Sequence, residues 1–312
     1  MRVAGIDCGT NSIRLLIADV QQDSNGTRLV DVLRTMRVVR LGQGVDATGA
    51  FAPEALERTF AAAREYRALC DEHQVEAIRF VATSAARDVS NREVFAEEIT
   101  KIIGVAPEVI SGDEEASLSF NGAASVRAGQ PGRSLVIDLG GGSTEFVLGD
   151  ASGPVAAKSL DMGCVRVTER FEQQGLESPE AVAFMDSTLQ SLDGAVDVSE
   201  VDAVILVAGT FTTLTAQALG LEKYESEKIH GAQLSFDQMR EATSAMLSYS
   251  REERAALGFM HPGRVDVIRA GAAIVQRILH YLESASGQRP MRLIASEHDI
   301  LDGIAATAAA NA

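Results

Sequence analysis

The segment GIDCGTNSIRLLI, residues 5–17, returns later in the chain as VIDLGGGSTEFVL, residues 136–148. Setting Ile6 on Ile137 pairs Asp7 with Asp138, Gly9 with Gly140 and Ser12 with Ser143. It also lays the apolar run Leu15-Leu16-Ile17 on Phe146-Val147-Leu148. Each copy predicts a strand closed by an aspartate, a tight turn of small residues, and a second strand of aliphatic and β-branched residues. A second matching pair follows: FVATSAA at 80–86 and LVAGTFT at 206–212, both apolar runs ending in Ala and small hydroxyl or glycine residues. Two pairs in the same order at similar offsets predict a duplicated domain.

Around the hairpins, strand and helix patterns alternate. In the first half, helices are expected at Pro53–His73, Ser90–Ile103 and Gly112–Arg127, and strands at Ala77–Ala82 and Pro107–Ile110. In the second half, helices are expected near Cys164–Gln173, at Pro179–Leu192, after Phe211, over Val265–Leu282 and from Asp299 onward. Strands are expected there at Val201–Val207 and Met291–Ile294. RAGQPGR, 127–133, reads as the linker. This pattern predicts domains at 1–128 and 129–298, in an α/β fold with two sheets facing a cleft. A length of 312 residues suits two domains.

Composition narrows the function. A net charge of -16 argues against a nucleic-acid or membrane binder. An acidic chain that holds a polyanion must do so with local devices: backbone amides, a few arginines, divalent metal. It carries 24 Arg against 4 Lys, and Arg suits bidentate phosphate contact, although such an excess is commonly genomic bias. Three cysteines without C-x-x-C spacing, no signal-peptide core and no apolar run near the ~20 residues of a membrane span predict a soluble cytoplasmic protein.

The two turns carry the chemistry. Gly140-Gly141-Gly142-Ser143 and Thr10-Asn11-Ser12 each follow an Asp and offer successive backbone N–H groups plus hydroxyls, the makings of a phosphate-binding nest. A lone G-G-G would read as a plain turn; two copies, each led by Asp, favour a phosphate clamp. Asp7 and Asp138, ending apolar strands beside such turns, are candidate Mg2+ ligands.

These turns resemble the Ppx/GppA family of exopolyphosphatases and guanosine pentaphosphate phosphohydrolases. The resemblance extends in order through LGQGV (41–45), ATSAARDVSN (82–91), ISGDEEA (110–116), DMGCVRVTERF (161–171), VAGTFTTLTA (207–216), HPGRVDVIRAGA (261–272) and ASEHDILDG (295–303). It implies a duplicated actin-like (ribonuclease H-like) two-domain fold with an interdomain cleft, the helix at 299–312 packing back on the first domain. It also implies Mg2+-dependent removal of terminal phosphate from inorganic polyphosphate or guanosine pentaphosphate. Glu115 in ISGDEEA becomes the base that orients the attacking water, as phosphoryl transfer to water requires. Arg87 becomes a phosphate contact, its bland alternative being a surface pair with Asp88. Glu145 becomes a metal carboxylate, direct or through water, and its repeat partner Arg14 puts the opposite charge at the equivalent place. Glu114, about 100° round the helix from Glu115, is assigned to solvent or the helix start.

Other features are discounted. GQGVDATG (42–49) lacks the dinucleotide fingerprint, and no P-loop motif occurs. The five histidines have no metal spacing and read as structural, and Cys8 reads as a small core residue open to oxidation beside a phosphate site. The chain resembles the shorter family members, and without Trp it offers guanine no obvious platform, which tilts the substrate towards polyphosphate; the two-domain form and the net charge of -16 favour short chains. An actin-like-fold kinase and a non-catalytic polyphosphate or nucleotide sensor are the readings from other classes; a homodimer is compatible with the sequence.

Overall fold

A computed structural model describes residues 1–23, 26–87, 89–127, 130, 132–171, 173–287, 289 and 291–308. The linker expected at 127–133 and the boundary at 128/129 fall partly outside these residues, as do Asp88 and the end of the C-terminal tail. Met1–Gly122 together with the C-terminal helix Ile300–Ala308 form one compact unit, and Ala123–Asp299 a second.

In the first unit, strands β1 (Arg2–Cys8), β2 (Ser12–Asp23), β3 (Gly26–Val38), β4 (Ala77–Ala82) and β5 (Glu108–Val109) form a sheet of order β3-β2-β1-β4-β5. Its first three strands run antiparallel and the rest parallel. The second unit contains β6 (Arg133–Leu139), β7 (Thr144–Asp150), β8 (Gly153–Leu160), β9 (Val201–Val207), β10 (Gln233–Leu234) and β11 (Arg292–Ala295). Its order is β8-β7-β6-β9-β11 with β10 added at the edge, and the pairing senses match strand for strand. The α/β duplication expected from the sequence is therefore the observed fold.

Register shows why the copies align. Asp7 stands opposite Arg14 across β1 and β2, and Asp138 opposite Glu145 across β6 and β7. The β1 strand reads as almost wholly apolar because both faces of its sheet are covered. Ala4, Ile6 and Cys8 pack with Phe80, Phe95 and Tyr66 under the helices Pro53–Glu72 and Arg92–Ile103. Val3, on the other face, meets Leu301 and Ala305 of the C-terminal helix. Gly5 is needed there: a Cβ would lie 2.8 Å from the backbone nitrogen of Ala305. The second unit has its own core, including Ile137, Phe146, Phe211 and Ile274.

Several boundaries differ from expectation. The helix expected after Phe211 begins at Ala208, directly where β9 ends, with Ala208 at a positive φ of 72°. The long second-half helix is Ile268–Ala285, led by a 3-10 turn at Pro262–Arg264. The helix over 90–103 starts at Arg92, and that over 112–127 is α-helical to Ala123 and 3-10 beyond. Strands β3 and β8 were not expected. As edge strands they are only partly buried and carry charged residues or Pro154 instead of an apolar run.

Candidate active site

In the first unit, the chain turns after β1 with the Gly9 N–H donating to Ser12 O at 3.0 Å. The Thr10 carbonyl accepts from Gly42 N at 2.9 Å, and the Asn11 carbonyl from Val39 N at 3.1 Å and Arg40 N at 2.9 Å. In a trans peptide C=O and N–H point opposite ways. The N–H groups of Asn11 and Ser12 therefore face away from residues 39–42. Gly42 makes this bracing possible, since a Cβ there would overlap the Thr10 methyl, and that accounts for the glycine of LGQGV. The buried Asn11 Oδ1 makes no hydrogen bond among the described residues. With the amide turned over, Nδ2 would present donors at that place.

The second unit repeats the device with a different brace. The Gly140 N–H donates to Ser143 O at 3.0 Å. The Gly140 carbonyl accepts from Cys164 N at 3.0 Å, and the Gly141 carbonyl from Val165 N at 2.8 Å and Arg166 N at 3.2 Å. The Gly142 carbonyl accepts from Arg166 Nε at 2.9 Å. All three carbonyls are thus drawn to the start of the helix Cys164–Phe171. The amides of Gly141, Gly142 and Ser143 are left facing the other way, as an anion nest requires. Gly163 permits the approach, because a Cβ there would come 2.5 Å from Gly142 N.

Both turns sit at the carboxyl ends of parallel strands, where α/β sheets usually hold ligands. Cys8 pairs with Ala82, which brings TSAAR beside the first turn, and Asp138 pairs with Val207. In the first unit, Arg87, on the short helix Ser84–Arg87, donates through Nη2 to Glu115 Oε2 and through Nε to Ile110 O at 3.0 Å. Glu115 is buried in the first turn of Gly112–Ala123. The expected base and phosphate contact are therefore together. Glu114 is at the helix start as expected, but it is ion-paired, to Arg79 at 2.8 Å.

The carboxylates at the strand ends differ between copies. Asp7 is engaged by Arg14, whose Nε and Nη2 donate to Oδ2 at 2.8 and 2.6 Å. Asp138 and Glu145 instead face each other across β6 and β7, both buried, with Ser159 Oγ donating to Glu145 Oε1 at 2.7 Å. Among the described residues no group of three His, Cys, Asp or Glu side chains assembles. Two hard carboxylate donors suit Mg2+, which retains water and takes phosphate oxygens. Asp7, with one oxygen already holding a guanidinium, fits a metal less well.

Sequence reading gave no role to Arg166 or Arg264. The Arg264 guanidinium packs on Gly209 so closely that a Cβ would overlap it, and Nη1 donates to Thr213 Oγ1 at 3.3 Å. The available signal was Gly209 standing where the first copy has Thr83. Three of the histidines have structural contacts: His261 Nδ1 accepts from Gly263 N at 3.1 Å, and the rings of His230 and His298 lie with centroids 4.6 Å apart. Cys8 is a buried thiol whose pKa burial pushes up.

A profile of the Ppx/GppA phosphatase family matches residues 16–307. The chain belongs to that family. This Ppx/GppA phosphatase is similar to an exopolyphosphatase 2 of Mycobacterium tuberculosis, 45% identical over 97% of each chain. The crystal structure of an exopolyphosphatase-like protein matches it with a TM-score of 0.90 at 45% identity, over 97% of this chain and 96% of that one. An Aquifex aeolicus Ppx/GppA protein matches with a TM-score of 0.78 at 31% identity, over 100% and 98%. Membership makes the chain a phosphatase, as the family resemblance implied. No described helix of this Ppx/GppA protein is long and apolar enough to cross a membrane.

Proposed function

We propose that this Ppx/GppA phosphatase is a cytoplasmic exopolyphosphatase, releasing the terminal phosphate of inorganic polyphosphate, short chains included. The observation that carries the reading is the pair of Asp-led turns whose carbonyls are tied back so that their amides are free to meet an anion. Similarity to a protein named exopolyphosphatase supports polyphosphate as the substrate.

In this reading Glu115 accepts the proton of the attacking water and aligns it on the terminal phosphorus. Arg87 and the amides of Asn11, Ser12, Gly141, Gly142 and Ser143 bind phosphate oxygens, with the Thr10 and Ser143 hydroxyls as further donors. These fixed dipoles are aimed where charge develops, which lowers the barrier without reorganisation. Asp138 and Glu145 would hold Mg2+, which supplies neutralisation of the phosphate charge when bound. Asp7 serves mainly to orient Arg14.

The test is phosphate release by the purified chain with Mg2+, offered polyphosphate, guanosine pentaphosphate, or ATP with a sugar. Polyphosphate should be hydrolysed fastest. Turnover of the pentaphosphate alone would replace the substrate assignment, and a phosphorylated sugar would overturn the hydrolase reading. With a net charge of -16, phosphates far from the clamp meet repulsion screened over ~8 Å. Short chains should therefore be cleaved at least as well per end as long ones, with intermediates visible on a gel.

A further inference from the structure

Arg79 stands on β4 opposite Gly5 of β1 and is only 9% exposed. Its Nε donates to Glu108 Oε1 at 3.3 Å and Oε2 at 3.1 Å. Nη2 donates to Glu108 Oε2 at 2.7 Å and Glu114 Oε1 at 2.8 Å, and Nη1 to Thr307 Oγ1 at 2.7 Å. One guanidinium thus ties together β4, β5, the first turn of Gly112–Ala123 and the C-terminal helix.

Glu114 and Glu115 are neighbours on that first turn, so their side chains leave the helix axis about 100° apart. Each has its own arginine: Arg79 for Glu114 and Arg87 for Glu115. A turn held from two directions cannot rotate about its axis without breaking one of the pairs. The same helix is fixed further along at Leu118, against which Gly303 of the C-terminal helix lies so closely that a Cβ would come 2.9 Å from the Leu118 carbonyl carbon. Glu108 and Glu114 are 49% and 48% exposed, but the Arg79 they share is buried. This network therefore contributes to stability as well as to geometry, and melting must be read beside kcat.

We propose that Arg79 is a positioning residue which, through Glu114, sets the direction in which Glu115 meets the attacking water. The inference rests on Glu115 being the base. A base displaced by an ångström or less loses much of its effect while the phosphate contacts stay intact.

The experiment compares Arg79→Gln, Arg79→Lys, Glu114→Gln, the Arg79→Gln/Glu114→Gln double variant and Glu115→Gln in the full chain. It records kcat, KM for polyphosphate and thermal melting. Both single Gln variants should lower kcat about tenfold or more and leave KM unchanged. The double variant should be no worse than the more impaired single one, because both changes break the same link, and Lys at 79 should restore part of kcat. Should Arg79→Gln fail to fold, Glu114→Gln, at a half-exposed residue, carries the test alone. A folded Glu114→Gln enzyme with wild-type kcat overturns the proposal, as does a fall in melting temperature with kcat per folded molecule unchanged. If those variants keep full turnover while Glu115→Gln is inactive, Glu115 stands as the base and Arg79 loses its role. Wild-type turnover in Glu115→Gln overturns the base reading and this proposal together.

Discussion

Arg87 and Glu115 form an ion pair, Nη2 to Oε2, although 28 residues separate them. The arginine side chain is 21% exposed and the glutamate 10%. Removing one partner would leave the other charge poorly solvated, which costs more than losing an exposed pair. The pair also couples two functions, since the guanidinium that would bind phosphate lies against the carboxylate that would activate water.

Glu115→Gln should lower turnover by about 10²–10⁴-fold while polyphosphate binding, measured by equilibrium dialysis, persists. Arg87→Gln should raise KM as well as lower kcat, because it removes a phosphate contact and frees the base to move. A Glu115→Gln enzyme that turns over normally would remove the carboxylate from the mechanism.

Metal dependence should follow the second copy of the repeat more than the first. Asp138→Asn and Glu145→Gln should lose most activity and require far more Mg2+, since each halves a pair of facing carboxylates. Asp7→Asn should shift the Mg2+ requirement less, because its carboxylate faces Arg14. Titration of phosphate release against Mg2+ reads this directly; full activity in excess chelator would end the metal assignment.

Gly163→Ala should damage the anion nest without touching any catalytic side chain. The new Cβ must push back the peptide between Gly141 and Gly142, at a cost of about 1–3 kcal/mol. Urea denaturation should register that loss, and KM for polyphosphate should rise. An unchanged KM would mean that the 141–143 amides do not bind substrate.

Alkaline pH should destabilise the protein through its thiols. Burial pushes Cys164 and Cys70 from the ordinary 9.0 up to about 11 and pushes Cys8 up as well. The folded chain then holds protons that the unfolded chain releases, so this stability is complete below pH 9 and falls as pH rises towards 11. Each thiol contributes about 1.4 kcal/mol per pH unit in that window. Urea midpoints measured from pH 8 to 10.5 should decline, and Cys164→Ala should flatten the decline; a midpoint independent of pH would contradict the burial of these thiols.

The sequence by itself determined the duplication, the fold class and the turns. Those features are local or periodic: an apolar strand, an Asp at its end, glycines where the backbone must pass close, then a second apolar strand. Aligning Ile6 with Ile137 put Arg14 and Glu145 at equivalent places, and the observed register then sets Asp7 against Arg14 and Asp138 against Glu145. Tertiary structure alone decided the rest. Residues 39–42 brace one turn and the Cys164 helix the other, Arg264 lies on Gly209, and Arg79 reaches Glu114 and Thr307. Hydrogen-bond and ion-pair partners 28, 35 or 228 residues apart leave no period in the sequence. They are chosen by which strands become neighbours in a sheet and which helix covers its face, and an arginine's flexible stem lets it serve whichever carboxylate that packing delivers.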